Sequence, residues 1–214
     1  MSSVAVIDYG MGNLHSIAKA LQHADPSVDV CVTDDAARIL AADRVVFPGV
    51  GAMRDCMAAL EARNLVSVIK EASASRPLLG ICLGMQALLS HSEENGGTDA
   101  MGLIDGDVVR FAPGLKSVGG EALKIPHMGW NRVCPVHPHP LFAGIDEGSW
   151  FYFVHSYYAK PISQADIGAT TDYPSPFASA LIRGNIAAVQ FHPEKSQAAG
   201  LRLLQNFLTW VPQT

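Results

Sequence analysis

The chain has 214 residues, enough for one domain with a sizeable core and short for two ordinary domains, so we expect a single domain over residues 1–214. Hydrophobic residues make up 49% and charged residues 16%, which excludes an intrinsically disordered chain. The net charge is −5 and no block of Lys and Arg stands out, so nucleic acid is excluded as an expected partner.

The first residues show no targeting or membrane segment. The stretch MSSVAVIDYG has no basic start, and its apolar run is too short for a signal peptide. No apolar stretch approaches the length that crosses a bilayer, so we expect no membrane association and a cytoplasmic location. The four cysteines form no C-x-x-C pair, and without a secretory signal we expect no disulfide framework.

The first half alternates strand-like and helix-like runs. The predicted strands are SVAVID, VDVCVT, RVVFPGVG and PLLGIC. Helical spacing is found from Leu14, where Asn13 is placed to cap, and over DDAARILAA, 53–63, 65–74 and LGMQALLSH. This alternation is typical of a parallel sheet covered on both faces, and predicts an α/β, three-layer open sheet.

The second half is rich in strands. These are expected in GLIDGDVVRFA, SWFYFVHSYYA, IGATTDY, ASALIRG and NIAAVQF, with a tight hairpin turn at Gly184-Asn185. Ser196 to Trp210 predicts a final helix with Ser196 as its N-cap. Residues 112–124 are Gly-rich and unpatterned, which predicts a loop. We therefore expect a mostly parallel sheet that gains antiparallel strands late in the chain.

Cys82 lies in the stretch GICLG, which has the form G-x-nucleophile-x-G. Here the chain leaves a strand and enters a helix almost at once, and the flanking glycines would relieve clashes around a strained nucleophile. A helix N-terminus favours thiolate over thiol, and the amide of Leu83 would face a developing oxyanion. The alternative is a buried structural cysteine, our interpretation of Cys31, Cys56 and Cys134.

The stretch FHPE offers Cys82 a base. His192 follows an apolar strand, and Glu194 lies two residues further on, so an extended backbone would point both side chains the same way. Pro193 restricts the backbone on both sides of its own peptide bond. Glu194 would orient His192, and His192 would activate Cys82 and later protonate the leaving group. The alternative is a histidine with ordinary partners at a strand end.

Three further patterns carry weaker signals. The FPGVGAM turn after another parallel strand could add a second backbone N–H for an oxyanion, although it also fits an ordinary strand-to-helix turn. YGMGN resembles a phosphate-binding turn but has His15 in place of the third glycine. The histidines His127, His137 and His139 show no zinc-type spacing, so we expect a solvated loop at CPVHPHP and no metal or other cofactor.

Taken together, Cys82, His192 and Glu194 resemble the triad of class I glutamine amidotransferases. The motifs DYGMGNLHS, FPGVGA, GICLGMQ, PHMGWN, VHSYYA and FHPEKS occur in that order, from Asp8 to Ser196. The set is similar to the glutaminase subunits of imidazole glycerol phosphate synthases, within that family. The resemblance implies the family's flavodoxin-like fold and hydrolysis of L-glutamine to glutamate and ammonia through a γ-glutamyl thioester on Cys82.

The resemblance also implies roles for residues around the triad. The oxyanion would be held by the Leu83 amide and by one amide of the turn at Val50 and Gly51. The residues that would receive glutamine are Gly49, Gly51, Gln86, Glu94, His155, Ser156 and Tyr157. The segment that would face a partner comprises Pro126, Met128, Trp130 and Asn131. For each residue an ordinary surface or core role is the alternative, most of all for Glu94 in its SEEN stretch.

The length of the chain, enough for one domain, predicts a separate partner protein. If the whole chain builds one glutaminase site, nothing remains to bind an acceptor, and ammonia released into water would be lost. The family's partner is a (β/α)8-barrel cyclase, which makes imidazole glycerol phosphate and an aminoimidazole carboxamide ribonucleotide in histidine biosynthesis, so we expect a heterodimer with it. The alternatives are a glutaminase of vitamin B6 or anthranilate synthesis, a cysteine hydrolase on a similar sheet, or a regulatory subunit without activity.

Overall fold

The computed structural model of the chain describes residues 2–117 and 119–212. Its helices are α1 (Leu14–Ala24), α2 (Ala36–Ala41), α3 (Met53–Ala62), α4 (Leu65–Ser75), α5 (Leu83–Gln86) and α6 (Gln197–Thr209). Its strands are β1 (Ser3–Ile7), β2 (Asp29–Thr33), β3 (Arg44–Gly49), β4 (Leu78–Cys82), β5 (His91–Ser92), β6 (Thr98–Asp99), β7 (Gly106–Arg110), β8 (His127–Pro135), β9 (Ser149–His155), β10 (Tyr157–Pro161), β11 (Ile167–Asp172), β12 (Pro176–Arg183) and β13 (Ile186–Val189). Short 3₁₀ turns lie at Glu94–Gly96, Pro140–Phe142, Gln164–Asp166 and Pro193–Lys195.

Five strands form a parallel core in the order β2-β1-β3-β4-β13. Each neighbouring pair in this order runs parallel. Parallel neighbours need a crossover of a dozen or more residues, which the helices between β1 and β4 provide. The fifth strand, β13, joins the core from much further along the chain.

Side chains alternate across this core and fill two hydrophobic layers. In β1, Ala5 and Ile7 belong to one layer, and Val4 and Val6 belong to the other. Helices α2, α3 and α4 cover the first layer, whereas α1 and α6 pack together over the second. The predicted α/β arrangement of three layers is confirmed.

The later strands extend the core mainly with antiparallel pairs. β12 runs antiparallel to β13, to β11 and to β10, which it meets at Ala178. From β11 the antiparallel pairing continues to β8 and then β9, and from β10 it continues to β7. β7 then pairs parallel with β5, which runs antiparallel to β6. The sheet is therefore mixed rather than mostly parallel, because consecutive strands joined by short connections pair with opposite directions.

Two local predictions were wrong. SWFYFVHSYYA forms two strands, not one, with a break at Ser156. The helix expected over LGMQALLSH ends at Gln86, because the amides of Leu88 and Leu89 turn back onto the carbonyls of Met85 and Gln86. Each of these segments changes direction within a few residues, which periodicity alone does not reveal.

Asn13 and Ser196 are the N-cap residues of α1 and α6, as predicted, but within the described residues neither side chain makes a capping hydrogen bond. The predicted hairpin is also present. The β12–β13 hairpin turns at Gly184, whose φ of +56° suits a glycine. The predicted loop at 112–124 contains Val118, which lies outside the described residues.

Among residues 2–117 and 119–212, no helix has both the length and the apolar character to cross a membrane.

Candidate active site

Three neighbouring strands end at the same edge of the parallel core. Gly49, the last residue of β3, is in register with Cys82 at the end of β4. On the other side of β4, Val189 of β13 is in register with Ile81, so His192 follows just beyond. Three segments distant in sequence thus meet at the carboxyl ends of the strands, where open α/β sheets form their sites.

The backbone at Cys82 adopts φ +55° and ψ −110°, a strained conformation for a residue with a side chain. Helix α5 begins at the next residue, so the N–H of Leu83 has no acceptor within the helix. A Cβ on Gly84 would lie 2.0 Å from the carbonyl oxygen of Phe47, and one on Gly80 would lie 3.0 Å from Leu88. The flanking glycines therefore permit the sharp turn, as the sequence predicted.

His192 and Glu194 form a buried pair. The His192 Nδ1 lies 2.9 Å from the Glu194 Oε1, and each side chain is only 3% exposed. The prediction of an extended backbone holds at His192, but Pro193–Lys195 forms a 3₁₀ turn that brings the carboxylate back to the ring. Among the described residues, the His192 Nε2 has no hydrogen-bond partner, so this nitrogen is free to exchange a proton.

The electrostatic surroundings favour a protonated His192. Burial by itself lowers the pKa of His192, but its interactions with Cys82 and Glu194 outweigh burial and raise that pKa to about 10. A cysteine beside a protonated imidazole is stabilised as the thiolate, which is the nucleophilic form.

Ser196 fixes the turn that carries this pair. Its hydroxyl donates to the His192 carbonyl at 2.6 Å and accepts from the Tyr152 N–H at 3.0 Å. Helix α6 approaches the turn so closely that a Cβ on Gly200 would lie 1.9 Å from the Pro193 carbonyl oxygen. The hydroxyl predicted to cap α6 therefore ties the turn to β9 instead.

A pocket of about 290 Å³ opens beside the Cys82 sulfur. The residues predicted for the site that line it are Val50, Gly51, Cys82, Leu83, Gln86, Glu94, His155, Ser156, Tyr157 and His192. Pro126, predicted to face a partner, also lines it, as does Val154. A larger surface cavity of about 550 Å³ lies around His137 and His139, but Cys82 and His192 are not among the residues that line it.

Gly49 is a predicted binding residue that does not line this pocket. A Cβ there would lie 2.7 Å from the Tyr9 hydroxyl oxygen and 2.8 Å from the Gly84 nitrogen. Gly49 instead allows β3 and the start of α5 to approach each other, so its contribution to the site is steric.

Glu94 anchors the turn that follows β3. Its Oε2 accepts a hydrogen bond of 2.7 Å from the N–H of Met53, the first residue of α3. A carboxylate at a helix N-terminus stabilises the helix through its free amides and its dipole. Because Gly51 lies two residues before Met53, this contact ties one wall of the pocket to the turn predicted to hold an oxyanion. Sequence reasoning missed this tie, which spans 41 residues.

The wall formed by His155 and Tyr157 is held by hydrogen bonds between neutral groups. The Tyr157 carbonyl accepts from the His155 Nδ1 at 2.8 Å and from the Gln86 Nε2 at 2.9 Å. Behind this wall lie His127 and Gln190, which are 3% and 0% exposed. The sequence analysis placed His127 with loop histidines and gave Gln190 no role. The only sequence signal for Gln190 is that it is a polar residue at the end of an apolar strand.

The predicted partner segment is exposed on β8. Met128 and Trp130 are 63% and 43% exposed, whereas Asn131 is half-buried. On the neighbouring β9, Trp150 is 50% exposed and lies opposite Arg132. In the described part of the chain, no group of three or more His, Cys, Asp or Glu side chains is arranged to hold a metal ion.

The fold is that of a known class of enzyme. The family model described as glutamine amidotransferase class-I matches residues 5–210, and the chain belongs to that family. It is 70% identical over 213 residues to the imidazole glycerol phosphate synthase subunit HisH of Methylococcus capsulatus, a match that covers 99% of this chain and 98% of the relative. It is also 55% identical to the protein of that name from Aromatoleum aromaticum, over 99% of this chain and 100% of the relative.

A solved structure shares the fold at lower identity. It is PurLQS from Thermotoga maritima, with a TM-score of 0.72 and 17% identity over 97% of this chain and 97% of that chain. At this identity the likeness shows the fold alone. The predicted fold class and the predicted resemblance are confirmed by the family match and the relatives.

Proposed function

We propose that this chain is the glutaminase subunit of an imidazole glycerol phosphate synthase, and that residues 1–214 form one amidotransferase domain. The observation that carries the proposal is the strained Cys82 at the edge of the pocket, beside a buried His192–Glu194 pair. The names of its relatives support the particular synthase, which acts in histidine biosynthesis.

The proposed reaction begins with the Cys82 thiolate. The sulfur attacks the side-chain amide carbon of glutamine, and the carbonyl oxygen takes up the negative charge. The C–N bond then breaks, His192 gives its proton to the leaving nitrogen, and ammonia departs from a γ-glutamyl thioester. Water next attacks the thioester and gives a proton to His192, and the C–S bond breaks to release glutamate. Glu194 keeps the imidazole oriented and stabilises its protonated form throughout.

The walls of the pocket supply the remaining roles. The N–H of Leu83 and one N–H of the turn at Val50 and Gly51 are the proposed donors to the oxyanion. The positive φ of Gly51, +94°, lets this peptide reorient at low steric cost. We therefore propose a low basal activity that the partner raises. The side chains proposed to receive glutamine are Gln86, Glu94, His155, Ser156 and Tyr157.

The proposed partner is the (β/α)8-barrel cyclase subunit of the same synthase, in a heterodimer. The exposed residues Met128 and Trp130 support a docking surface on β8, since exposed methionine and tryptophan anchor many interfaces. Pro126 and Asn131 flank them, and Pro126 also lines the pocket, so this surface adjoins the path of departing ammonia.

The deciding experiment is a glutaminase assay of the chain alone and of the chain mixed with the cyclase and its ligand. We expect slow glutamate release by the chain alone and much faster release by the complex. Equal rates in the two samples would overturn the proposed activation, and no release in either would overturn the glutaminase assignment. If a glutamine-mimicking electrophile labels Cys82 and glutamine does not protect it, a different cysteine hydrolase is favoured.

A further inference from the structure

Gln190 contacts the candidate nucleophile from the side of β13. It follows Val189, whose partner in β4 is Ile81, so the register places Gln190 beside Cys82. The side-chain Nε2 of Gln190 lies 3.7 Å from the Cys82 sulfur, within hydrogen-bond range for sulfur, and the residue is 0% exposed. A buried amide needs partners at both of its ends, because an unpaired polar group in the core is costly.

The orientation of the Gln190 amide follows from its other partner. The Nε2 of Gln86 lies 2.9 Å from the Gln190 Oε1 and 2.9 Å from the Tyr157 carbonyl oxygen. A carbonyl oxygen only accepts, so the amide nitrogen of Gln86 must face Tyr157 and donates its two hydrogens to these two oxygens. The oxygen of Gln190 therefore faces Gln86, which leaves the Gln190 N–H directed at the sulfur.

On its other side, the Tyr157 carbonyl accepts from His155, which in turn is held by His127. His155 must donate from Nδ1 to Tyr157, so its Nε2 carries no proton in the neutral ring. That Nε2 lies 2.9 Å from the Nδ1 of His127, which must then be the donor. Burial lowers the pKa of His155 to about 3 and that of His127 to about 4, so both rings are neutral near pH 7.

Asn131 is the last side chain in this hydrogen-bond network. The unprotonated Nε2 of His127 lies 3.2 Å from the Asn131 Nδ2, which also donates to the Asp172 carbonyl at 2.9 Å. The Asn131 Oδ1 accepts from the Arg132 N–H at 2.8 Å, which fixes this amide too. Every donor and acceptor from β8 to the sulfur thus has a single assignment.

We propose that Gln190 is a further catalytic residue, whose N–H stabilises the Cys82 thiolate, and that Asn131, His127, His155 and Gln86 are positioning residues that hold this donor in place. The proposal deepens the proposed glutaminase function and rests on it. An N–H directed at sulfur favours the thiolate over the thiol, since a hydrogen bond to a charged form stabilises that form. A Gln190 that only fills space would have no such effect.

The first test replaces the donor and measures the sulfur directly in the isolated full-length chain. Gln190→Glu keeps the shape and the acceptor for Gln86 but places a carboxylate oxygen beside the sulfur. We expect Cys82 to react with iodoacetamide at least about tenfold more slowly at pH 7, because less thiolate is present. Gln190→Met removes both polar ends at similar volume, and we expect a smaller loss of about threefold. Peptide mass spectrometry resolves each cysteine.

Internal references separate this effect from misfolding. The half-buried Cys31 should react at its wild-type rate, and the buried Cys56 should stay unlabelled while the fold is intact. Gln22→Glu, on the exposed face of α1, is the matched control and should leave Cys82 unchanged. If Cys82 reacts at the wild-type rate in every Gln190 variant that stays folded, the proposal is overturned.

The second test changes Asn131, at the other end of this hydrogen-bond network. Asn131→Asp turns the donor that faces the His127 Nε2 into an acceptor at nearly constant shape. We expect about a threefold loss of kcat with little change in KM, and slower alkylation of Cys82. Nitrogen-15 NMR should show both His127 and His155 protonated at Nδ1 in the wild type, with His127 altered in the variant. Nε2-protonated rings in the wild type would overturn the positioning role.

Ammonia release by the wild type distinguishes failure of the Gln190 proposal from failure of the proposed glutaminase function. If the wild type hydrolyses glutamine and Gln190→Glu matches its rate of reaction with iodoacetamide, only the present inference fails. If the wild type hydrolyses no glutamine with or without the cyclase, the proposed function fails, whatever the alkylation rates are.

Discussion

The pocket brings together two histidines with opposite electrostatics. His192 follows β13 and has its pKa raised to about 10, whereas His155 ends β9 and has its pKa lowered to about 3. Both side chains are almost fully buried, at 3% and 6% exposed. Burial therefore cannot explain the difference by itself.

The neighbours of each ring decide its charge. His192 faces the carboxylate of Glu194 and the sulfur of Cys82, which stabilise a positive charge. His155 faces a carbonyl and the neutral ring of His127, and burial, reinforced by the nearby charge of His192, keeps its pKa low. One side of the pocket is thus built to move protons, and the other to hold a fixed pattern of donors and acceptors.

Cys82→Ala should have the largest effect, because it removes the atom proposed to form the thioester. We expect glutamine-dependent synthesis by the complex to fall by at least about 10³-fold, while synthesis from added ammonia continues at the cyclase. The measurement compares both rates in the same complex. Cys31→Ala is the matched control and should keep both rates; glutamine-dependent activity surviving in Cys82→Ala would contradict the assigned nucleophile.

Glu194→Gln tests the charge of the triad while keeping a hydrogen-bonding side chain beside His192. Because the carbonyl oxygen of the new glutamine can still accept from the His192 Nδ1, a fall in kcat would reflect the missing negative charge or a rotated amide. We expect kcat to fall by about 10²- to 10⁴-fold, with the complex still assembled. Steady-state kinetics give the result, and Glu71→Gln on the exposed side of α4 serves as the control. An unchanged kcat would assign the role of orienting His192 elsewhere.

Gly200→Ala tests how far α6 fixes the charged pair. The new methyl group would lie 1.9 Å from the Pro193 carbonyl oxygen, so the turn or the helix must move. We expect a loss of about 1–3 kcal/mol in the free energy of unfolding and a clear fall in kcat. Denaturant unfolding and glutaminase assays measure the two effects. Gly119→Ala, where a Cβ has only an ordinary contact, should change neither.

The pH dependence of stability should have limbs of opposite sign, each of at most about 1.4 kcal/mol per pH unit per histidine. Below about pH 6.5 the unfolded state binds more protons than buried His127 and His155, so stability falls as the pH falls toward 4. Between about pH 6.5 and 8.5 the extra proton on His192 is offset by the proton that the proposed Cys82 thiolate has lost. Above about pH 8.5, where an unfolded thiol also ionises, the native state binds more protons at His192, so stability falls as the pH rises toward 10.

Variants can assign each limb to its histidine. His127→Gln should flatten the acid limb, and Cys82→Ala should flatten the alkaline limb by removing a group that holds the proton on His192. Thermal unfolding measured from pH 4 to 10 gives both slopes. If His127→Gln changes the alkaline limb alone, the assignment of these groups is wrong.

Much of the parallel core could be predicted because its signals are local. The apolar strands β1 to β4 alternate with helical runs. The residues around Cys82 and His192 form short motifs that are typical of a nucleophile and a base. The predicted positions of both groups at one sheet edge follow from the rule that parallel strands end together. The roles of these residues in catalysis stay predictions.

The antiparallel half could not be predicted in the same detail because its contacts are not local. Nothing near Glu94 in the sequence shows that it meets Met53, and nothing near His127 shows that its partner is His155. Ser156 breaks one apparent strand into two, although the stretch on either side has a continuous strand-like pattern. Such features depend on which surfaces the fold brings together, which pattern and propensity do not determine.

The position of β13 has a consequence for how the protein is made. This strand lies between β4 and β12, yet it is the last strand of the described chain to leave the ribosome. Until Ile186–Val189 has been translated and inserted, Cys82 lies at an open edge with neither His192, its proposed base, nor the amide of Gln190 beside it. A nascent subunit of this kind would be unable to hydrolyse glutamine, so ammonia production would begin only after the sheet has closed.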